Sequence, residues 1–208
     1  MRVRHRSAML GAILAPALLA PPTFAQDSPR PPDLPAARAA FEATFRGQCG
    51  SAFGGVLDGM EPEVHALSHR ADYEGAITQH YTLYGFACDA GAYNISSVWM
   101  LDTPYDGIVP LAFAAPVATY DYHDEEQTRL RAHRVVGMSA DYRLVNAGFD
   151  PSTGTMSALI KWRGLGDARE GGTWHFEAGR FVLVSYEADP TFDGETEPVV
   201  TLFEQPPE

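Results

Sequence analysis

From Ala76 to Ala188 the chain is written as short runs of β-branched and aromatic residues broken by turn-forming clusters. That pattern constrains the fold more than any other feature. In AITQHYTLYGFAC (76–88), Ile77, Gln79, Tyr81 and Leu83 fall on one face and Thr78, His80, Thr82, Tyr84 and Phe86 on the other. AYNISSVWML (92–101) and IVPLAFA (108–114) read as further strands. The second is weakened by Pro110, which has no N–H for a sheet ladder. AHRVVGMSADYRLVNAGF (132–149) reads as one long or two short strands, and TGTMSALIKWRG (153–164) places Met156, Ala158, Ile160 and Trp162 on one face. TWHFEAGRFVLVSYEA (173–188) reads as a hairpin turning at Glu177–Arg180. Asp150-Pro151-Ser152-Thr153-Gly154 is turn chemistry, and Gly164–Asp167 and Gly171-Gly172 are looser breaks. The expected class is mainly β, an antiparallel sandwich or meander with one short N-terminal helix.

The helix is AARAAFEATFRG (36–47), which follows Asp33 and Pro35 and sets Phe41 and Phe45 four apart on one face. Ahead of it the N-terminus has the layout of a secretory signal peptide. Arg2, Arg4 and Arg6 precede a 13-residue apolar stretch from Ala8 to Ala20, and Ala25 ends a suitable cleavage site. The stretch is shorter than the ~20 residues of a membrane anchor and carries Pro16. The expected organisation is a signal peptide at 1–25, a Pro-rich leader at 26–35, a single β-rich domain at 36–203 and a tail at 204–208, with no membrane span left after cleavage. The location is then periplasmic or secreted.

Export changes how Cys49 and Cys88, the only two cysteines, are read. An oxidising compartment favours a disulfide between them, and two buried free thiols are the alternative. It also changes the charge. The chain carries 15 basic and 27 acidic residues, and losing Arg2, Arg4 and Arg6 leaves 12 against 27, a formal charge of -15. That acidity argues against nucleic acid as a partner, since phosphate contact needs clustered Lys and Arg. It favours a cationic protein.

No catalytic constellation stands out, and no cofactor is implied. There is no Gly-x-Ser-x-Gly elbow. His65 and His69 lie four apart, with Ala66 where a zinc-protease helix has its glutamate. No metal site is expected; Asp121, His123 and Asp124 in YDYHDEE come nearest to one, and an acidic loop facing water is the better account of them. Asp150, Asp167, Asp189 and Asp193 are candidate carboxylates for glycoside chemistry, and each also has a local role in a turn. Lys161, Trp162, Arg163 and Asp167 form a candidate binding tip, because Trp beside Arg is a common binding pair. The alternative is that Trp162 and Trp174 pack as core or cross-strand partners.

Three segments carry a resemblance: CDAGAYN (88–94), LVNAGFDPSTGTMSALIKWRGLGD (144–167) and GTWHFEAGRFVLVSYEADPTFDGE (172–195). Together they resemble a family of exported proteobacterial proteins of unknown function. The features shared are a Cys-x-x-Gly-Ala-Tyr-Asn segment, a Gly-Leu-Gly-Asp turn and a Trp-containing hairpin. The chain departs from that pattern at Trp162, where the family often has Gly, and at Ala168, where many members have Cys. The second departure leaves Cys49 as the only partner for Cys88. The resemblance implies a secreted or periplasmic β-rich protein, and it brings no activity, substrate or catalytic residue. The expected function is a non-enzymatic envelope or binding protein with an acidic surface. A carboxylate-dependent hydrolase acting on a periplasmic polymer is the alternative.

Overall fold

The computed structural model describes residues 29–205. The signal peptide expected at 1–25 lies outside them, as do residues 206–208 of the tail. Helix α1 (Leu34–Phe45) is capped by Asp33, whose carboxylate accepts from the Ala36 N–H at 3.0 Å. Pro35 sits in the first turn, where its missing N–H costs nothing, so the helix starts two residues earlier than its alanine run suggests.

Twelve strands follow, all paired antiparallel. The first sheet joins β1 (Glu63–Arg70), β2 (Thr78–Ala90), β3 (Ile95–Thr103) and β4 (Gly107–Pro110), with β7 (Arg143–Val145) on the far side of β3. The second runs in the order β12 (Val200–Glu204), β11 (Arg180–Asp189), β10 (Arg169–Glu177), β9 (Thr155–Lys161), β8 (Gly148–Asp150). A two-stranded ribbon, β5 (Phe113–Tyr122) and β6 (Leu130–Asp141), stands apart.

The two large sheets pack face to face as a sandwich. Leu83, Trp99 and Leu101 of the first share one core with Met156, Trp174 and Leu183 of the second. Tyr81 meets Phe176 edge-on at 5.3 Å across the layers. The opposite face of the first sheet is also buried. There Tyr84, Phe86, Val98 and Met100 pack under Ala37, Phe41 and Phe45 of α1, and Phe41 stacks on Phe86 at 4.5 Å. Strand β2 is therefore apolar on both faces along its middle, as strands sandwiched between layers are. Cys49 and Cys88 form a disulfide that ties the segment after α1 to β2. The turn Ala178-Gly179 closes the β10–β11 hairpin with both residues in the left-handed region, opposite Glu177 and Arg180.

Two expectations change in detail. Residues 132–149 form three strands in three different sheets. The crossing is pinned at Asn146, which takes φ 46° and exchanges bonds with the Ile95 backbone, its side chain accepting at 3.0 Å and its N–H donating at 2.8 Å. Pro110 ends β4 and so splits the run at 108–114 between two sheets.

The core generates two predictions. A Cβ on Gly85 lies 2.6 Å from the Trp99 ring, so Gly85→Ala overpacks the sandwich. Denaturant unfolding is expected to show a loss of ~1–3 kcal/mol. Replacing Cys49 and Cys88 together by Ser frees a 39-residue separation. The same measurement is expected to show a loss of about 4 kcal/mol, as loop entropy predicts.

Candidate functional site

A cleft of about 420 Å³ with converging polar groups lies under the β5–β6 ribbon. Alternation builds its floor. On the inner face of the second sheet lie Ala158 and Ile160 of β9, Glu170, Gly172 and Trp174 of β10, and Tyr186 of β11, with Gly172 directly opposite both Ala158 and Tyr186. Small residues make the space. Ala115 and Ala118 line it from β5, and at Gly172 a Cβ would meet the Tyr186 ring at 2.5 Å and Trp174 at 2.9 Å. Ser139, Asp141 and Arg143 line it from β6 and β7.

The walls are aromatic. Tyr120 meets Trp162 edge-on at 5.9 Å, Trp174 meets Tyr186 at 6.3 Å and Phe113 meets Trp174 at 5.5 Å. Among these rings sits one carboxylate, Glu170, which makes no hydrogen bond or ion pair among the described residues. Burial raises its carboxyl above the ordinary value. The hydroxyls nearby feel that charge. Burial first, then Glu170, then Tyr122 push Tyr120 up to about 12, and burial, Glu170 and Tyr120 push Tyr186 up as well. The Tyr120 hydroxyl is buried with no hydrogen-bond partner among the described residues.

The residues singled out in the sequence lie around this cleft or away from it. Trp162 forms part of its wall. Asp167 is fully buried beside it and is held by the Arg163 guanidinium, whose Nε donates at 2.7 Å, and by the Gly194 N–H at 2.9 Å. Arg163 above all keeps the Asp167 carboxyl well below the usual carboxylate range. Arg163 also lies 5.2 Å from the Phe192 ring. The Lys161 backbone is pinned by Asn94, whose amide donates to its carbonyl at 2.8 Å.

Asp121 pairs with Arg131 at 3.3 Å, and Arg131 reaches His123 Nδ1 at 3.4 Å. Asp124 accepts from the Thr128 N–H at 2.7 Å and from Arg129 at 3.0 Å. Asp150 accepts from Ser152, Asp189 from Thr191, and Asp193 from the Glu195 N–H. His65 and His69 share a face of β1 roughly 13 Å apart along the strand. No group of three or more metal-ligating side chains forms among the described residues.

Sequence reasoning missed Glu170, Tyr120 and Tyr186. The available signal was Gly171-Gly172, which reads as a break but lies inside β10. Glycines inside a strand mark places where something approaches closely.

Residues 60–200 match the family described as "Protein of unknown function (DUF1176)". The chain is 31% identical over 119 residues to "Uncharacterized protein YpfG" of Escherichia coli (strain K12). That match covers 57% of this chain and 30% of the relative, so the chain spans about a third of its length. No solved structure matches the chain.

An unpaired, largely buried carboxylate leaves a thermodynamic trace. Its raised folded value means that the unfolded chain releases this proton first, so folding stability falls as pH rises through that window. Glu170→Gln is expected to raise the thermal midpoint at pH 7, with the difference closing below the ordinary glutamate value of 4.5. Thermal melts from pH 4 to 7 check it.

Proposed function

The chain belongs to the DUF1176 family of proteins of unknown function, and on that footing we propose that it is an exported, non-enzymatic binding protein whose ligand site is the cleft under the β5–β6 ribbon. One observation carries the reading. Glu170 is a single unpaired carboxylate in an aromatic-walled concavity, and the aspartates offered for catalysis, Asp150, Asp167, Asp189 and Asp193, are each engaged by a neighbour. A concave, mostly apolar pocket with few converging polar groups is the usual form of a ligand site.

Several features support export. The basic N-terminus precedes an apolar stretch of signal-peptide length. A disulfide persists in the periplasm or outside the cell. No helix among the described residues is long and apolar enough to cross a membrane. The acidic surface left after cleavage draws cationic partners toward the molecule, and Lys161, Trp162 and Arg163 flank the cleft as a second contact surface, with Asp167 buried behind it and holding Arg163.

A second reading is a carboxylate-dependent hydrolase of a periplasmic polymer. It is favoured by Asp141, which lines the same cleft as Glu170, since two carboxylates facing one bond are what glycoside hydrolysis requires. Release of soluble fragments from purified cell-wall polymer, lost in Asp141→Asn, decides for it.

The binding reading is checked by expressing the full chain in a Gram-negative bacterium. The recovered protein is expected in the periplasm with Gln26 at its N-terminus. Retention of Met1 in the cytoplasm refutes export. Small-molecule extract of the envelope is expected to shift the Trp162 and Trp174 emission. Ala158→Phe, which fills the cleft, is expected to abolish the shift, and its persistence there refutes the cleft as the site.

A further inference from the structure

We infer that the cleft takes a small organic ammonium ion with an apolar or aromatic body, its cationic nitrogen set against the Glu170 carboxylate among the rings of Tyr120, Trp162, Trp174 and Tyr186. This rests on the reading of the cleft as a ligand site and names the chemical class of the ligand.

The argument starts from what the cleft lacks. A largely buried carboxylate is ordinarily matched by a cation or by several donors. Of the two acids that are fully buried, Asp189 accepts on one oxygen from the Thr191 N–H and hydroxyl, its Oδ2 having no hydrogen-bond partner among the described residues, and Asp167 has a cation in Arg163 and a donor in the Gly194 N–H. Glu170 has neither among the described residues. The charged and titratable groups that face it are Tyr120 on β5, Asp141 on β6, Arg143 on β7 and Tyr186 on β11. Arg143 is exposed at the rim, and no basic group figures among the influences on Glu170.

The walls select among cations. Inorganic divalent ions need several oxygen ligands, and the cleft offers one inward carboxylate and phenol hydroxyls in apolar surroundings. Aromatic rings attract organic ammonium groups through their negative faces and also shelter an apolar body. An anion meets both the Glu170 charge and those faces, and is rejected. The volume of about 420 Å³ suits a small molecule.

The test is calorimetric titration of the full mature protein with three probes that share a phenyl body: phenethylammonium, 2-phenylethanol and 3-phenylpropionate. At pH 7 the ammonium is expected to bind at least tenfold more tightly than the alcohol, and the carboxylate not at all. Glu170→Gln, with an unchanged near-ultraviolet circular dichroism spectrum, is expected to bring the ammonium down to the level of the alcohol. Lowering the pH to 4 is expected to weaken ammonium binding in the wild type and to leave the variant unmoved. Equal binding of ammonium and alcohol overturns the ammonium assignment and leaves the cleft as a site for neutral ligands. An ammonium preference that survives Glu170→Gln overturns the assignment to Glu170. Binding of none of the three overturns both this inference and the cleft reading beneath it.

Discussion

The Trp174 indole N–H donates to the Ala114 carbonyl at 2.8 Å, and that bond ties the β5–β6 ribbon to the second sheet at the edge of the cleft. Trp174 stands on the inner face of β10 with its ring buried. A buried indole needs an acceptor for its one polar atom, and here the acceptor comes from the other wall. The bond thus satisfies the core and sets the distance from the ribbon to the second sheet. Two more contacts hold the far end of the ribbon. The Tyr122 hydroxyl donates to the Pro190 carbonyl at 2.9 Å, and the Phe192 N–H to the Gln127 carbonyl at 3.0 Å. Between these tethers the facing residues are small, including Ala115, Ala118, Ala158 and Gly172. Large residues at the ends and small ones between leave a hollow instead of a closed interface.

Much of this was legible from residues alone, and the parts that were not share one cause. Alternation identified β2, β3, β9 and the β10–β11 hairpin because each buries a continuous face within a sheet. The disulfide was legible because there were only two cysteines to pair. Strand β6, read as strand within 132–149, shows why its place in the fold was not legible. All but the first of its residues are exposed, so its place depends on pairing with β5 and leaves no apolar period to read. Glu170 was hidden for a related reason. A glutamate before two glycines reads locally as a break, and only the register with Ile160 and Ala188 turns it inward.

The charge distribution links the opening arithmetic to the site. With 27 acids against 15 bases, the chain cannot match every carboxylate. The arginines it has are placed mainly at the surface, as in Arg38–Glu61, Arg129–Asp124 and Arg131–Asp121. Such exposed pairs contribute little each. The exception is Arg163, which holds the fully buried Asp167 and so fixes the loop carrying Trp162 against the cleft wall. Trp162 is held further by its own N–H, which donates to the Ala168 carbonyl at 2.9 Å, and by its carbonyl, which accepts from the Tyr93 hydroxyl.

Set beside Asp167, Glu170 is a cost that the fold does not need. Both acids lie in one short stretch, and the same loop that supplies a guanidinium to one supplies nothing to the other. A glutamine or a leucine at position 170 would suit an aromatic interior better, because neither carries a charge to be desolvated. Nor does Glu170 hold the ribbon, which Trp174, Tyr122 and Phe192 already tether. Residues that weaken a fold without a packing role concentrate where binding or catalysis requires them, since function and stability are in tension there. The acidic exterior and the unmatched interior carboxylate then act in the same direction. The first raises the local concentration of cations around the molecule, and under the proposed assignment the second is where the charge of one of them would be worth more than in water.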